Sequence, residues 1–116
     1  MLSEIIEYDA TISKGILDEE IVFHLKGKKL LVVDDSATAL WQIRETLSQL
    51  GLEIIELKDG LKASNLLKIW ADDGKIVTDE ILMMFTDVEM PEMDGYRLTA
   101  EVRQDPRRSD LFIALK

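Results

Sequence analysis

Apolar and polar positions fall into short blocks along the chain. Leu30-Leu31-Val32-Val33 is an unbroken apolar run, the pattern of a strand buried on both faces. Beyond it, Leu40, Ile43, Leu47 and Leu50 recur three or four residues apart, which predicts a helix with one apolar face. Ser36 is placed to cap that helix and Gly51 to stop it. Leu52 to Leu57 predicts a second strand, Asp59-Gly60 a turn, and Leu61 to Ala71 a second helix that buries Ala63, Leu66, Leu67 and Trp70. Asp72 to Glu80 reads as a polar loop. Ile81 to Phe85 is the most apolar run and predicts the central strand, followed at once by Thr86-Asp87 and a loop containing Pro91 and Gly95. Tyr96 to Gln104 predicts a third helix and Leu111 to Leu115 a fourth strand.

Strands and helices in alternation predict right-handed crossovers and a parallel sheet covered on both faces, an α/β doubly wound fold. In such a sheet the ligand crevice lies outside the carboxyl ends of the strands, where the winding direction reverses. Residues 1–28 differ in texture and read as a helical connector, or the end of a preceding domain, ahead of an α/β unit spanning 29–116. Within the connector, Asp18-Glu19-Glu20 followed by Ile21, Val22 and Leu25 predicts a capped helical turn, because acids suit the positive end of a helix. A second short helix is expected around Ser3 to Glu7.

The length of 116 residues, 47% of them hydrophobic, allows one domain with a real core plus an appendage. Cysteine is absent, which excludes disulfides, thiolate metal sites and cysteine nucleophiles. Glu4, Glu7 and Asp9 stand where a signal peptide would need positive charge, and no apolar run approaches the roughly 20 residues of a membrane span. A soluble, cytoplasmic chain is therefore expected. The net charge of −9 argues against nucleic-acid binding, which needs clustered Lys and Arg.

The candidate chemistry is acidic. Asp34-Asp35 follows the first strand and Asp87 follows the central one. If those strands are neighbours, about 4.8 Å apart, their carboxyl ends bring all three acids into one pocket. Acids packed so closely repel, which raises one pKa or recruits a cation, and hard oxygen ligands suit Mg²⁺ better than Zn²⁺. Each motif alone also has a plainer explanation: Asp-Asp-Ser is a helix N-cap pattern and Asp87 can be a loop residue. Capping needs alone do not account for both at strand ends.

Leu31-Val32-Val33-Asp34-Asp35-Ser36 and Thr86-Asp87-Val88-Glu89-Met90-Pro91-Glu92-Met93-Asp94-Gly95 resemble the signature loops of two-component response-regulator receiver domains. The resemblance runs from about Lys29 to Leu115 and implies a flavodoxin-like sheet. It implies Asp87 as the carboxylate that attacks a phosphohistidine donor, with Asp35 and Asp87 as direct Mg²⁺ ligands. Asp34 would support the metal partly through water, and Glu89 would lend its backbone carbonyl. Asp-Ser-Ala-Thr-Ala at 35–39, Glu-Met-Pro-Glu-Met-Asp-Gly-Tyr-Arg-Leu-Thr at 89–99 and Arg-Gln-Asp-Pro-Arg at 103–107 look like the receiver half of CheV-type chemotaxis coupling proteins. That narrower resemblance implies a CheW-like domain before the receiver, a CheA-type histidine kinase as phosphodonor and a chemoreceptor array as setting.

The sequence departs from the family pattern after the fourth strand. It holds no counterpart of the Thr or Ser that contacts the phosphoryl group, nor of a fifth strand and its lysine. Lys116 comes too early for that lysine's role. Phosphorylation is therefore expected to be slow or absent, and the fold is expected to be an incomplete four-stranded version of the receiver sheet. An apolar edge at Leu111 to Leu115 invites a homodimer or a domain swap.

His24, the single histidine, reads as structural or exposed rather than a phosphodonor. Trp41 and Trp70 are expected to cover core or interface, Met90 and Met93 to pack, and Lys26, Lys28 and Lys29 to be solvated. Two alternatives remain beside the phosphoacceptor, which is itself no enzyme acting on a separate substrate. One is an interaction scaffold that never takes phosphate. The other is an Asp-nucleophile phosphatase of the haloacid-dehalogenase type, with the nucleophile after the first strand.

Overall fold

The computed structural model describes residues 25–116. Lys29–Val33 forms β1 and Glu53–Leu57 forms β2, joined by helix α1, Ala37–Ser48. Helix α2, Gly60–Asp72, and a single helical turn α3, Val77–Glu80, lead to β3, Met83–Thr86. Helix α4, Gly95–Gln104, then precedes β4, Ile113–Leu115. All pairings are parallel and the order is β2-β1-β3-β4, which places β1 and β3 in the interior. This is the doubly wound α/β sheet that the alternating blocks predict.

Burial on both faces explains why β1 is apolar from Leu30 to Val33. Leu31 and Val33 face one side, into a core shared with Ala63 and Leu67 of α2, Leu98 and Val102 of α4, and Val77, Ile81, Met84, Met93 and Leu111. Leu30 and Val32 face the other, against Leu40 of α1 with Ile43, Leu47, Ile54, Met83 and Phe85 around them. Three helices begin with a side-chain cap, of which the Ser36 cap was expected and those of Asp59 and Asp94 were not. The Ser36 hydroxyl, the Asp59 carboxylate and the Asp94 carboxylate accept the backbone N–H of Ala39, Lys62 and Arg97. Gly51, at φ 78°, follows α1 in the left-handed region that ends helices.

Three boundaries differ from the sequence pattern. β3 runs over Met83–Thr86 rather than Ile81 to Phe85: Ile81 is core, but its N–H closes the α3 turn on Val77 O instead of joining the ladder. Burial extends past the strand to Ile81, whereas Leu82 between them is exposed. β4 likewise is confined to Ile113–Leu115, with Leu111 buried ahead of it. The stretch expected as a polar loop contains α3, pinned by the single buried residue Val77; one apolar position carries no period. Lys26, Lys28 and Lys29 are exposed as expected. The helical turns expected at Ser3 to Glu7 and from Asp18, and His24, lie outside the described residues.

An unexpected buried arginine ties the layer together. Arg108 is 3% exposed, and its Nη1 donates to the carbonyl and hydroxyl oxygens of Ser64 on α2, at 3.0 and 3.1 Å. Its Nε lies 3.1 Å from Asp105 Oδ2, and the Ser64 hydroxyl donates to Glu101 on α4. Removing the guanidinium leaves the buried Ser64 carbonyl and hydroxyl without that donor and empties a filled interior site, so Arg108→Ala is expected to cost about 3 kcal/mol, read as a lower urea midpoint. A shift below about 0.5 kcal/mol would show that the arginine is a surface group.

Candidate functional site

The last residue pair between the interior strands is Val33 with Thr86. The chain continues the ladder one step further on each side: Asp34 N–H donates to Leu57 O at 3.0 Å and Asp87 N–H to Val33 O at 2.8 Å. Both acidic motifs therefore sit at the carboxyl ends of adjacent parallel strands. One carboxylate oxygen each from Asp34, Asp35 and Asp87 lies within 4.8 Å of the others. The convergence expected from the sequence is present.

The three acids are not equivalent. Asp34 is 1% exposed, whereas Asp35 is exposed and Asp87 half-buried. Asp34 Oδ1 accepts the Ser36 N–H at 2.9 Å and Oδ2 accepts the Lys116 ammonium at 2.7 Å. Among the described residues, the Asp35 and Asp87 side chains make no hydrogen bond or ion pair with the protein. Asp35 shares a shallow pocket with Glu89, Met90, Pro91 and Tyr96, so Glu89 stands at the site's mouth. A second pocket, lined by Lys28, Lys29, Asp79 and Glu80, opens at the amino ends of β1 and β3, away from the carboxylates.

The loop after Asp87 is held close to it. Gly95 N–H donates to Val88 O at 2.8 Å, and a Cβ at Gly95 would stand 2.4 Å from the Asp87 carbonyl oxygen. Glu92 takes a left-handed conformation at φ 68°, turning the chain so that Met93 is buried beneath. Met93 and Met90 pack on the core, and so does Trp70, whereas Trp41 is exposed. The buried Thr86 hydroxyl donates to the Asp87 carbonyl at 3.0 Å.

Three hard oxygen donors converging beside an open pocket fit a hard divalent cation such as Mg²⁺, which takes few protein ligands and keeps several waters. With Lys116 paired to Asp34, the cluster still carries a net charge near −2, which favours a cation.

Comparison with known proteins decides the family. The response regulator receiver domain family matches residues 30–114. The chain belongs to that family. This receiver is 40% identical to chemotaxis protein CheY1 of Helicobacter pylori over 88 residues, covering 75% of this chain and 64% of CheY1. It is 37% identical to chemotaxis protein CheV3 of the same organism over 80 residues, covering 68% of this chain and 26% of CheV3. The chain thus spans less than two thirds of the length of either relative. Among solved structures it resembles the receiver domain of the Arabidopsis thaliana histidine kinase CKI1 complexed with Mg²⁺, at a TM-score of 0.64 and 29% identity, covering 78% of this chain and 66% of that one. No helix among the described residues is long and apolar enough to cross a membrane.

The sequence pattern sets Lys116 aside as too early for the family lysine's role and gives it no contact with the acids. Its ammonium reaches a carboxylate 82 positions away, from a strand that is not even adjacent to β1. The only available signal was a lysine at the carboxyl end of a strand, where the site of a doubly wound sheet lies.

Proposed function

We propose that this receiver accepts a phosphoryl group on Asp87, in a Mg²⁺-dependent reaction with a phosphohistidine donor. The observation that carries this reading is the convergence of Asp34, Asp35 and Asp87 at the ends of β1 and β3. An Asp87 carboxylate oxygen attacks phosphorus, the N–P bond of the donor breaks, and its electron pair returns to the imidazole. The product is an acyl phosphate on Asp87. Asp35 and Asp87 would hold Mg²⁺ directly, Asp34 partly through water, and Glu89 by its backbone carbonyl. When bound, the metal supplies positive charge that offsets the repulsion between two anionic reactants. The protein's own part is to fix Asp87, through the Val33 and Gly95 backbone contacts, and to leave its carboxylate open to the donor.

This is a signalling module whose chemistry is its own reversible phosphorylation. Similarity to proteins named CheY1 and CheV3 supports a chemotaxis setting in the cytoplasm, a CheA-type kinase as donor and proximity to a chemoreceptor array. Residues 1–28 would then be a connector from a CheW-like domain, with the receiver over 29–116. The test is incubation with acetyl phosphate and Mg²⁺, followed by intact mass and peptide mapping. A gain of one phosphoryl group on Asp87 is expected. A label on Asp35 would overturn the assignment, and a chain that binds Mg²⁺ yet never gains mass would be a scaffold.

β4 is an edge of the described sheet and Leu115 is 42% exposed, which supports strand addition from a second copy. A dimer is expected by light scattering at high protein concentration; a monomer there would sink it.

A further inference from the structure

Asp34 is the one carboxylate of the cluster that the protein satisfies by itself. It is fully buried, and both of its oxygens are engaged, one by the Ser36 N–H and the other by the Lys116 ammonium. A buried anion left without a partner is costly, and the ammonium meets that need when no metal is bound. The backbone sets the reach: Lys116 N–H donates to Thr86 O at 3.0 Å, which anchors Lys116 beside the end of β3. Its side chain then crosses from the β4 side of the sheet to the end of β1. The Lys116 side chain is 44% exposed, so its ammonium has open solvent to withdraw into. A compact charge on a flexible four-carbon stem can leave without disturbing the backbone.

We infer that Lys116 is an internal counter-ion of the site, whose ammonium competes with a divalent cation for the buried Asp34 carboxylate and so sets the metal affinity of the receiver. The inference rests on the Mg²⁺ reading above and concerns a residue that the family resemblance leaves without a role. A cation approaching the three carboxylates must either displace the ammonium or bind beside a positive charge. Both weaken binding relative to the same site without Lys116. The linkage is reciprocal, so bound metal also loosens the Lys116–Asp34 pair.

The test is Mg²⁺ titration by calorimetry of the full chain, its Lys116→Gln variant, Asp34→Asn, and the Asp34→Asn/Lys116→Gln double variant, with melting temperatures recorded at each metal concentration. Lys116→Gln is expected to bind Mg²⁺ more tightly, on the order of tenfold. It should also melt lower without metal and gain more on saturation than the unaltered chain. In the Asp34→Asn background, removing Lys116 should change affinity far less, since the competition runs through that carboxylate. Equal or weaker Mg²⁺ binding by Lys116→Gln overturns the inference while leaving the metal site standing. A gain that persists in the Asp34→Asn background also overturns it, because general electrostatics would then suffice. Mg²⁺ binding to none of the four proteins would remove the metal reading and this inference together.

Discussion

Asp87→Asn is expected to reduce covalent phosphorylation by acetyl phosphate to background while leaving the receiver folded. The amide occupies nearly the same volume, and the backbone bond from residue 87 to Val33 O does not involve the side chain. It lacks the anionic oxygen that the proposed reaction directs at phosphorus, so the proposed nucleophile is lost. The change also removes one of three converging carboxylates, and Mg²⁺ affinity should fall by about tenfold or more. Stability should be unchanged or slightly higher, since one like charge leaves a crowded cluster. Parallel measurements of intact mass, Mg²⁺ titration and urea midpoint separate these effects. A modification that survives in Asp87→Asn would remove the central claim about this site.

Gly95→Ala is expected to damage stability and phosphorylation together, because it strikes the backbone that carries Asp87. The added Cβ would lie 2.4 Å from the Asp87 carbonyl oxygen and 3.0 Å from Val88 Cα. Both obstacles are main-chain atoms, so no rotamer change relieves them; the loop or the start of α4 must move. Alanine is otherwise a better helix residue than glycine, which makes the expected sign a clean test of sterics over propensity. We expect a loss of about 3 kcal/mol in urea denaturation. In the fraction that remains folded, a displacement of Asp87 by about 1 Å should slow phosphorylation by roughly 100-fold. A variant as stable as the parent would show that the approach of Gly95 to Asp87 is looser than these distances state.

Much of the architecture was legible because burial leaves a period in the chain. β1 is apolar at every buried position because it is covered on both faces, and α1 shows Leu40, Ile43 and Leu47 at helical spacing because one face meets the sheet. Elements with too few residues to show a period were not legible. Val77 pins α3 alone, and Ile81, ahead of β3, joins the core without joining the ladder. Arg108 ran against composition, since arginine is seldom buried, and only its placement between Ser64 and Asp105 accounts for it.

The candidate site divides in the same way. By itself the sequence determined the doubly wound class, the Ser36 cap and the position of Asp34-Asp35 and Asp87 at strand ends, because these depend on local pattern and on a general property of parallel sheets. Only the tertiary structure decided that β1 and β3 are neighbours, which is what brings the three carboxylates within 4.8 Å. It alone decided that Asp34 is buried and that Lys116 answers its charge. Charge pairing between residues 82 positions apart follows from strand order, and strand order is settled by how helices pack across both faces of the sheet, not by any local run of residues.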